Sequence, residues 1–500
     1  MFESFLAAGG KGACPLKIAF FVRFYYNEPM KIKELLVIFW AAVSVLGTFP
    51  IYGEFTTGTI FEKVVCRADP GQSYALYLPS GYPGNKKWPI IYAFAPGAQG
   101  GVPLQHFKPA AEKYGYIMVG SNNSRNGPWE PIVQAARAMW LDTQNRFAVD
   151  NNRVYTTGFS GGARVASIFK YIVNQPVTGI IGCGAGLDTN LKPGMIKPEI
   201  YYGIVGLRDF NYREMMKLDK SFDAEGVEHR ILVFAGDHRW PPEEYCLQAV
   251  EWMEINAIKK GLIEKNESLV TDLYKKALDR AKHLEQSENI FFSVSAYEAA
   301  EQLFSGLMDV NEFKNKALQL KNSKEFKQFQ KEEKRRDRKD AEFVSIFIRV
   351  AAMLRNTDLA DLPALETVLR ELKIRYLLKE ATKTGKSANQ YDAALAQRLL
   401  TDLIINMSQE GSDYLQKRDF RRAALSFEIS LQAGNEHPNL LYNLACVYSL
   451  SRIKKKALDY LGQAVKKGFN NLELIKKDKD LDFIRNEKEF IEITRELNDN

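Results

Sequence analysis

A serine set between glycines, Gly158-Phe159-Ser160-Gly161-Gly162, ends the apolar run Val154-Tyr155-Thr156-Thr157. A strand that turns sharply into a helix at such a pentapeptide exposes the serine hydroxyl. Side chains two residues before and two after it would clash with the adjoining strand and helix. The chemistry on offer is acyl transfer, with Ser160 attacking a carbonyl carbon. The same five residues also suit an ordinary tight βα turn, so the rest of the machinery has to be sought elsewhere. An attacking serine needs a base for its proton, a carboxylate to orient that base, and two N–H donors for the oxyanion.

The chain holds five histidines. His106 precedes the pentapeptide in a surface-helix pattern, and His283 and His437 fall in helical stretches. His229 stands at the wrong end of a strand pattern. His238 follows the strand pattern Arg230–Phe234, in Ala235-Gly236-Asp237-His238-Arg239-Trp240, and is the candidate base. The acid is expected after the preceding strand, in Gly206-Leu207-Arg208-Asp209-Phe210-Asn211-Tyr212. Asp209 is the candidate, Asp188 the backup, and a helix-capping turn aspartate the other reading of Asp209. The side chain of Asp237 would diverge from that of its neighbour His238. The Gly161 N–H, at a helix start, is one expected oxyanion donor. The other is Ala98, in the glycine-rich stretch Pro96-Gly97-Ala98-Gln99-Gly100-Gly101. Phe159 and Trp240 either line the pocket or belong to the core. This machinery calls for no metal and no cofactor.

These residues need strand ends to hold them. Ser73–Pro79 alternates like a half-buried strand, and Pro89–Ala95, Tyr116–Gly120 and Arg153–Thr157 read as buried strands. Gly179–Ala185, Ile200–Val205 and Arg230–Phe234 follow, with helices predicted over Pro128–Phe147 and Gly162–Val173. Strands alternating with helices predict a doubly wound, mainly parallel α/β sheet. Ligands then sit at the carboxyl ends of the strands, where all the candidates fall.

From about residue 60 to 258 the chain resembles the α/β-hydrolase superfamily, most of all exported bacterial esterases of the polyhydroxybutyrate-depolymerase and feruloyl-esterase type. The resemblance rests on YALYLPSGY, PIIYAFAPGAQGG, GFSGGA, the GLRD turn and the GDHRWP segment. It implies a carboxylic-ester hydrolase acting on a small or polymeric ester through Ser160, His238 and Asp209. A peptidase or an acyltransferase would use the same triad, and a non-catalytic hydrolase-like scaffold is a further alternative. These enzymes usually carry His-Gly where this chain has Pro96-Gly97. Fourteen residues separate Ala185 from Ile200, too few for an inserted lid, so an open site is expected.

The other half of the chain is punctuated differently. From residue 262 onward there are 6 of the 34 glycines and 2 of the 19 prolines, which predicts helices. Gly411, Tyr414, Ala423, Phe427 and Ser430 recur 34 residues later as Ala445, Tyr448, Ala457, Leu461 and Ala464. That period resembles the tetratricopeptide repeat (TPR). Two repeats are expected over 404–471, with capping helices over Leu472–Leu497. The expected organisation is an upstream segment (1–50), an α/β-hydrolase domain (51–260), a helical extension (261–403) and an all-α TPR-like region (404–500). Such an arm either packs on the hydrolase or docks a protein partner.

A net charge of +7 over 500 residues demands no nucleic-acid partner. The basic stretch Lys331–Asp340 is broken by acidic residues and reads as a solvated helix face or linker. Five scattered cysteines suggest neither a zinc site nor a disulfide framework. Met30-Lys31-Ile32-Lys33 followed by the 13-residue apolar run Leu35–Gly47 has the layout of a secretory signal, displaced from the chain start. Translation beginning at Met30 would account for the displacement. Export is the expectation, with membrane anchoring by an uncleaved segment as the alternative.

Overall fold

The computed structural model describes residues 55–84, 86–188, 196–287, 289–383 and 387–497. The leader-like segment Met30–Gly47 lies outside the described residues. Among those described, no helix is long and apolar enough to cross a membrane.

Eight strands form one sheet: β1 (Ile60–Val65), β2 (Ser73–Tyr77), β3 (Trp88–Phe94), β4 (Ile117–Ser121), β5 (Val149–Phe159), β6 (Gly179–Cys183), β7 (Ile200–Gly206) and β8 (Glu228–Phe234). Their order is β1-β2-β4-β3-β5-β6-β7-β8. Pairings from β4 through β8 are parallel, and β1 and β2 are antiparallel additions at one edge. Every residue of β3 and β7 is buried, as expected of apolar strands covered on both faces. Strand β1 carries no readable pattern in the sequence. As an edge strand with Glu62 and Lys63 exposed, it buries too little to leave one.

Helices α1 (Gly101–Tyr114), α2 (Trp129–Arg146), α3 (Gly161–Val173), α4 (Tyr212–Glu225) and α5 (Glu243–Lys259) connect and cover the strands. The chain leaves β3 for β4 on one side and returns to β5 on the other. The crevice of this topological switch lies between the ends of β3 and β5. The Pro96–Gly101 loop and Ser160 therefore meet there.

The helical half continues with α6 (Glu267–Gln286), α7 (Ile290–Phe304), α8 (Asn311–Asn322), α9 (Lys324–Asn356), α10 (Leu365–Glu371), α11 (Ile374–Ala381) and α12 (Ser387–Gln416). Then come α13 (Phe420–Gln432), α14 (Pro438–Leu450), α15 (Lys454–Lys466), α16 (Leu472–Lys477) and α17 (Lys488–Glu496). Helix α5 belongs to both halves. Its Cys246, Val250 and Met253 pack on the sheet, while Ile255 and Ile258 join the core of α6 to α8. Thr56–Asn500 is accordingly one compact unit.

The 34-residue period survives in backbone geometry. Arg418 and Arg452 both close helix exits at φ +59°, with Asp419 N–H bonded to the Tyr414 carbonyl and Ile453 N–H to that of Tyr448. Gly434 and Gly468, again 34 apart, sit at φ +106° and +101°. Such dihedrals favour glycine. The matched Ala423, Phe427, Ala445, Ala457, Leu461 and Ala464 are all fully buried.

Candidate active site

Ser160 sits between β5 and α3 with φ +55° and ψ −122°, a strained conformation for a residue with a side chain. Close backbone packing holds it there. A Cβ on Gly158 would collide with the Gly162 carbonyl, and one on Gly162 with the Phe94 carbonyl on β3. Glycine is what lets α3 start this close to the sheet. The Ser160 N–H is fixed to the Cys183 carbonyl at 2.8 Å.

Three sequence-selected side chains meet at this point. His238 Nε2 lies 3.0 Å from Ser160 Oγ, and His238 Nδ1 lies 2.9 Å from both carboxylate oxygens of Asp209. Asp209 is fully buried, while the His238 side chain keeps 19% of its surface exposed. Asp209 Oδ1 also accepts the Asn211 N–H at 2.8 Å, a bond within the turn rather than a helix cap, since α4 carries no side-chain cap bond. An Nδ1–H donated to Asp209 leaves Nε2 to accept from the serine hydroxyl. In that tautomer the chain can move a proton off Ser160. Asp188 is buried elsewhere, with its N–H on Ser167 Oγ of α3. Asp237 diverges as expected and pairs with Arg208, joining the turn of Asp209 to the loop of His238.

The expected oxyanion donors part company. The Gly161 N–H has no acceptor among the described residues and lies at the positive end of the α3 dipole. The Ala98 N–H instead donates to the Ala95 carbonyl at 3.1 Å, closing a tight turn with Ala98 at φ +60°. That donor is engaged inside its own loop. The sequence reading missed Asn126, whose N–H holds the Pro96 carbonyl at 2.8 Å. Its side-chain amide lies where a Cβ on Gly161 would point.

Phe159 and Trp240 are core and site wall at once. Phe159 lies 4.6 Å from the His238 ring and 5.4 Å from Trp240, centroid to centroid, and both pack on the sheet's core. Two further rings were not foreseen. Phe210 packs on His238 at 4.2 Å, and His106 stacks on Trp240 at 5.7 Å. Placing His106 on a surface helix is therefore only half right, since α1 turns it toward Trp240. Burial lowers its pKa, against the opposite pull of Glu243 and the Pro241 carbonyl. Phe210 was legible only as the neighbour of Asp209.

Cys66, Cys183, Cys246 and Cys446 are buried free thiols. Cys446, Asp478 and Asp480 offer ligand atoms within 4.8 Å of one another, far along the chain from the triad. Burial, with the Asp478 charge, raises the Cys446 pKa.

No protein-family model matches this chain, and no curated protein does. Solved structures do. Esterase B from Lactobacillus rhamnosis is 17% identical, covering 46% of this chain and 98% of its own, with a TM-score of 0.33. The hyperthermophilic esterase from the archaeon Pyrobaculum calidifontis is 14% identical, covering 46% and 95%, with a TM-score of 0.31. Est1E from Butyrivibrio proteoclasticus is 10% identical, covering 40% and 100%, with a TM-score of 0.33.

Proposed function

We propose that this chain is a serine hydrolase that cleaves carboxylic esters. The observation that carries the reading is the continuous chain Ser160 Oγ–His238–Asp209, with contacts of 3.0 and 2.9 Å, at the crevice of the sheet. In the proposed cycle Ser160 attacks the ester carbonyl as His238 Nε2 takes its proton. The protonated imidazole, stabilised by Asp209, then gives that proton to the departing alkoxide. Water repeats the sequence on the acyl-enzyme and releases the acid. The Gly161 N–H holds the oxyanion, with the Asn126 amide beside it as the second donor in place of Ala98.

A fluorophosphonate probe and short p-nitrophenyl esters test this. Covalent labelling and turnover that both disappear in Ser160→Ala support the reading. A wild-type protein that neither labels nor turns over the esters excludes it.

Two further parts of the proposal rest on sequence pattern. The Met30–Gly47 layout supports export, and a mature protein that still carries Leu35–Gly47 would contradict cleavage. The 34-residue period in side chains and helix exits supports a TPR-type arm that docks a protein. A photoreactive residue at the exposed Ile453 tests that arm: a discrete protein adduct supports docking, and its absence leaves a structural role.

A further inference from the structure

The turn that carries Asp209 is held from two sides. On one side the loop of His238 binds it: Leu207 N–H donates to the Phe234 carbonyl at 2.8 Å, and Arg208 N–H to the Gly236 carbonyl at 2.9 Å. On the other side stands Arg398, near the middle of α12 and 191 positions away in sequence. Its Nη1 donates to the Leu207 carbonyl at 2.6 Å. Among the described residues no other donor reaches that carbonyl. The guanidinium also lies 4.4 Å from the centre of the Tyr212 ring, the first residue of α4. Arg398 is only 8% exposed. Its one hydrogen bond among the described residues goes to that main-chain carbonyl, and the nearby charges of Asp340 and Glu333 offset only part of the cost of taking the guanidinium out of water. A second seam contact, Lys276 of α6 to Glu251 of α5 at 3.3 Å, joins the same two halves away from the Asp209 turn.

We propose that Arg398 is a positioning residue for catalysis, by which the helical half sets the acid of the hydrolase half. It rests on the triad reading above. Arg398 touches neither substrate nor the reacting atoms. It fixes Leu207, two residues before Asp209, and Tyr212, three after, so both ends of the turn have a defined place. Asp209 can then present both oxygens to His238 Nδ1. The catalytic unit is in this view the whole chain from Thr56 onward, and the helical half is part of the enzyme. A small displacement of a catalytic group by a remote change lowers turnover without changing substrate binding.

The test uses the full-length protein and a p-nitrophenyl ester. Arg398→Met is expected to lower kcat by about tenfold or more, with KM within twofold of wild type. Arg398→Lys keeps one donor and the charge, and is expected to recover most of kcat, to within about threefold of wild type. Lys276→Met removes the α6–α5 contact away from the turn and is expected to leave kcat within twofold. If Arg398→Met does not fold, Arg398→Gln, which loses the charge and the planar fork, takes its place. A kcat at least fivefold below that of Lys276→Met supports the proposal, and equal values overturn it. An active wild type with an Arg398→Met kcat within twofold removes this inference alone. An inactive wild type removes the hydrolase reading and this inference with it.

Discussion

Two glycines mark how differently the halves of this molecule are held together. In the sheet half, Gly162 faces the Phe94 carbonyl, a main-chain atom on a strand bonded on both sides. In the helical half, Gly411 of α12 faces the Phe427 ring of α13, with a Cβ falling 2.6 Å from its nearest carbon. Both permit a close approach between elements. A strand carbonyl cannot retreat without breaking its ladder, whereas a ring can tilt into neighbouring space. The Ser160 turn is thus held by a main-chain contact, and the α12–α13 crossing by side-chain packing.

That contrast predicts where substitutions act. The largest effect after loss of Ser160 belongs to Asp209→Asn, which removes the charge that stabilises the imidazolium and disturbs its tautomer. About a 10³-fold fall in kcat is expected with the fold retained, read by steady-state kinetics and circular dichroism. A change under tenfold would mean that the buried carboxylate serves the turn rather than the base. Asn126→Ala is expected next, at about 10²-fold in kcat, if its amide shares the oxyanion with Gly161. An effect under twofold would return the second donor to the Ala98 loop, and so to a main-chain group.

The glycine comparison itself can be broken by a matched pair. Gly162→Ala forces a Cβ onto a fixed carbonyl and is expected to cost about 3 kcal/mol, with activity lost through a displaced Ser160. Gly411→Ala meets only a ring and gains about 1 kcal/mol of helix propensity, so its net effect is expected to stay within about 1 kcal/mol. Urea denaturation of both reads the difference. Equal costs would show that the helical half is as rigidly constrained as the sheet.

The same distinction explains how much of the molecule was legible. Seven of the eight strands were readable, six as apolar runs closed by turn residues and β2 by its alternation, although the structure buries Tyr74 to Tyr77 on both faces rather than one. The candidates Ser160, Asp209 and His238, which the structure brings together, were readable because chain order and strand ends leave few choices among five histidines. Strand β1 was hidden, since an edge strand with Glu62 and Lys63 exposed carries no period. Asn126 went unread, and the engagement of the Ala98 N–H was unforeseen, for a different reason. Whether a loop N–H is free depends on how the loop folds on its neighbours, and Pro96-Gly97-Ala98 closes on Ala95 in a way that composition does not encode. Arg398 was out of reach altogether. It lies in α12, and nothing in a helical pattern says which arginine turns inward to a carbonyl 191 positions earlier.

The smallest expected effect belongs to His229, at the start of β8. Its ring is 5% exposed, with Nδ1 2.8 Å from the Val227 carbonyl and Nε2 3.3 Å from Asp219. Burial disfavours the charged ring, but the Asp219 bond, the Val227 carbonyl and the nearby Asp223 outweigh it and raise the pKa above the ordinary 6.5. A raised folded-state pKa gives stability that is complete below about pH 6.5 and is lost as pH climbs through the folded value. The two aspartates are themselves substantially exposed, so water and salt screen them, and a few tenths of a kcal/mol are expected. The read-out is the gap in urea midpoint between wild type and His229→Gln. It should be widest at pH 5.5 and narrow by pH 8.5. A gap that widens with pH would mean that burial wins, and that the ring is held neutral as part of the sheet's apolar edge.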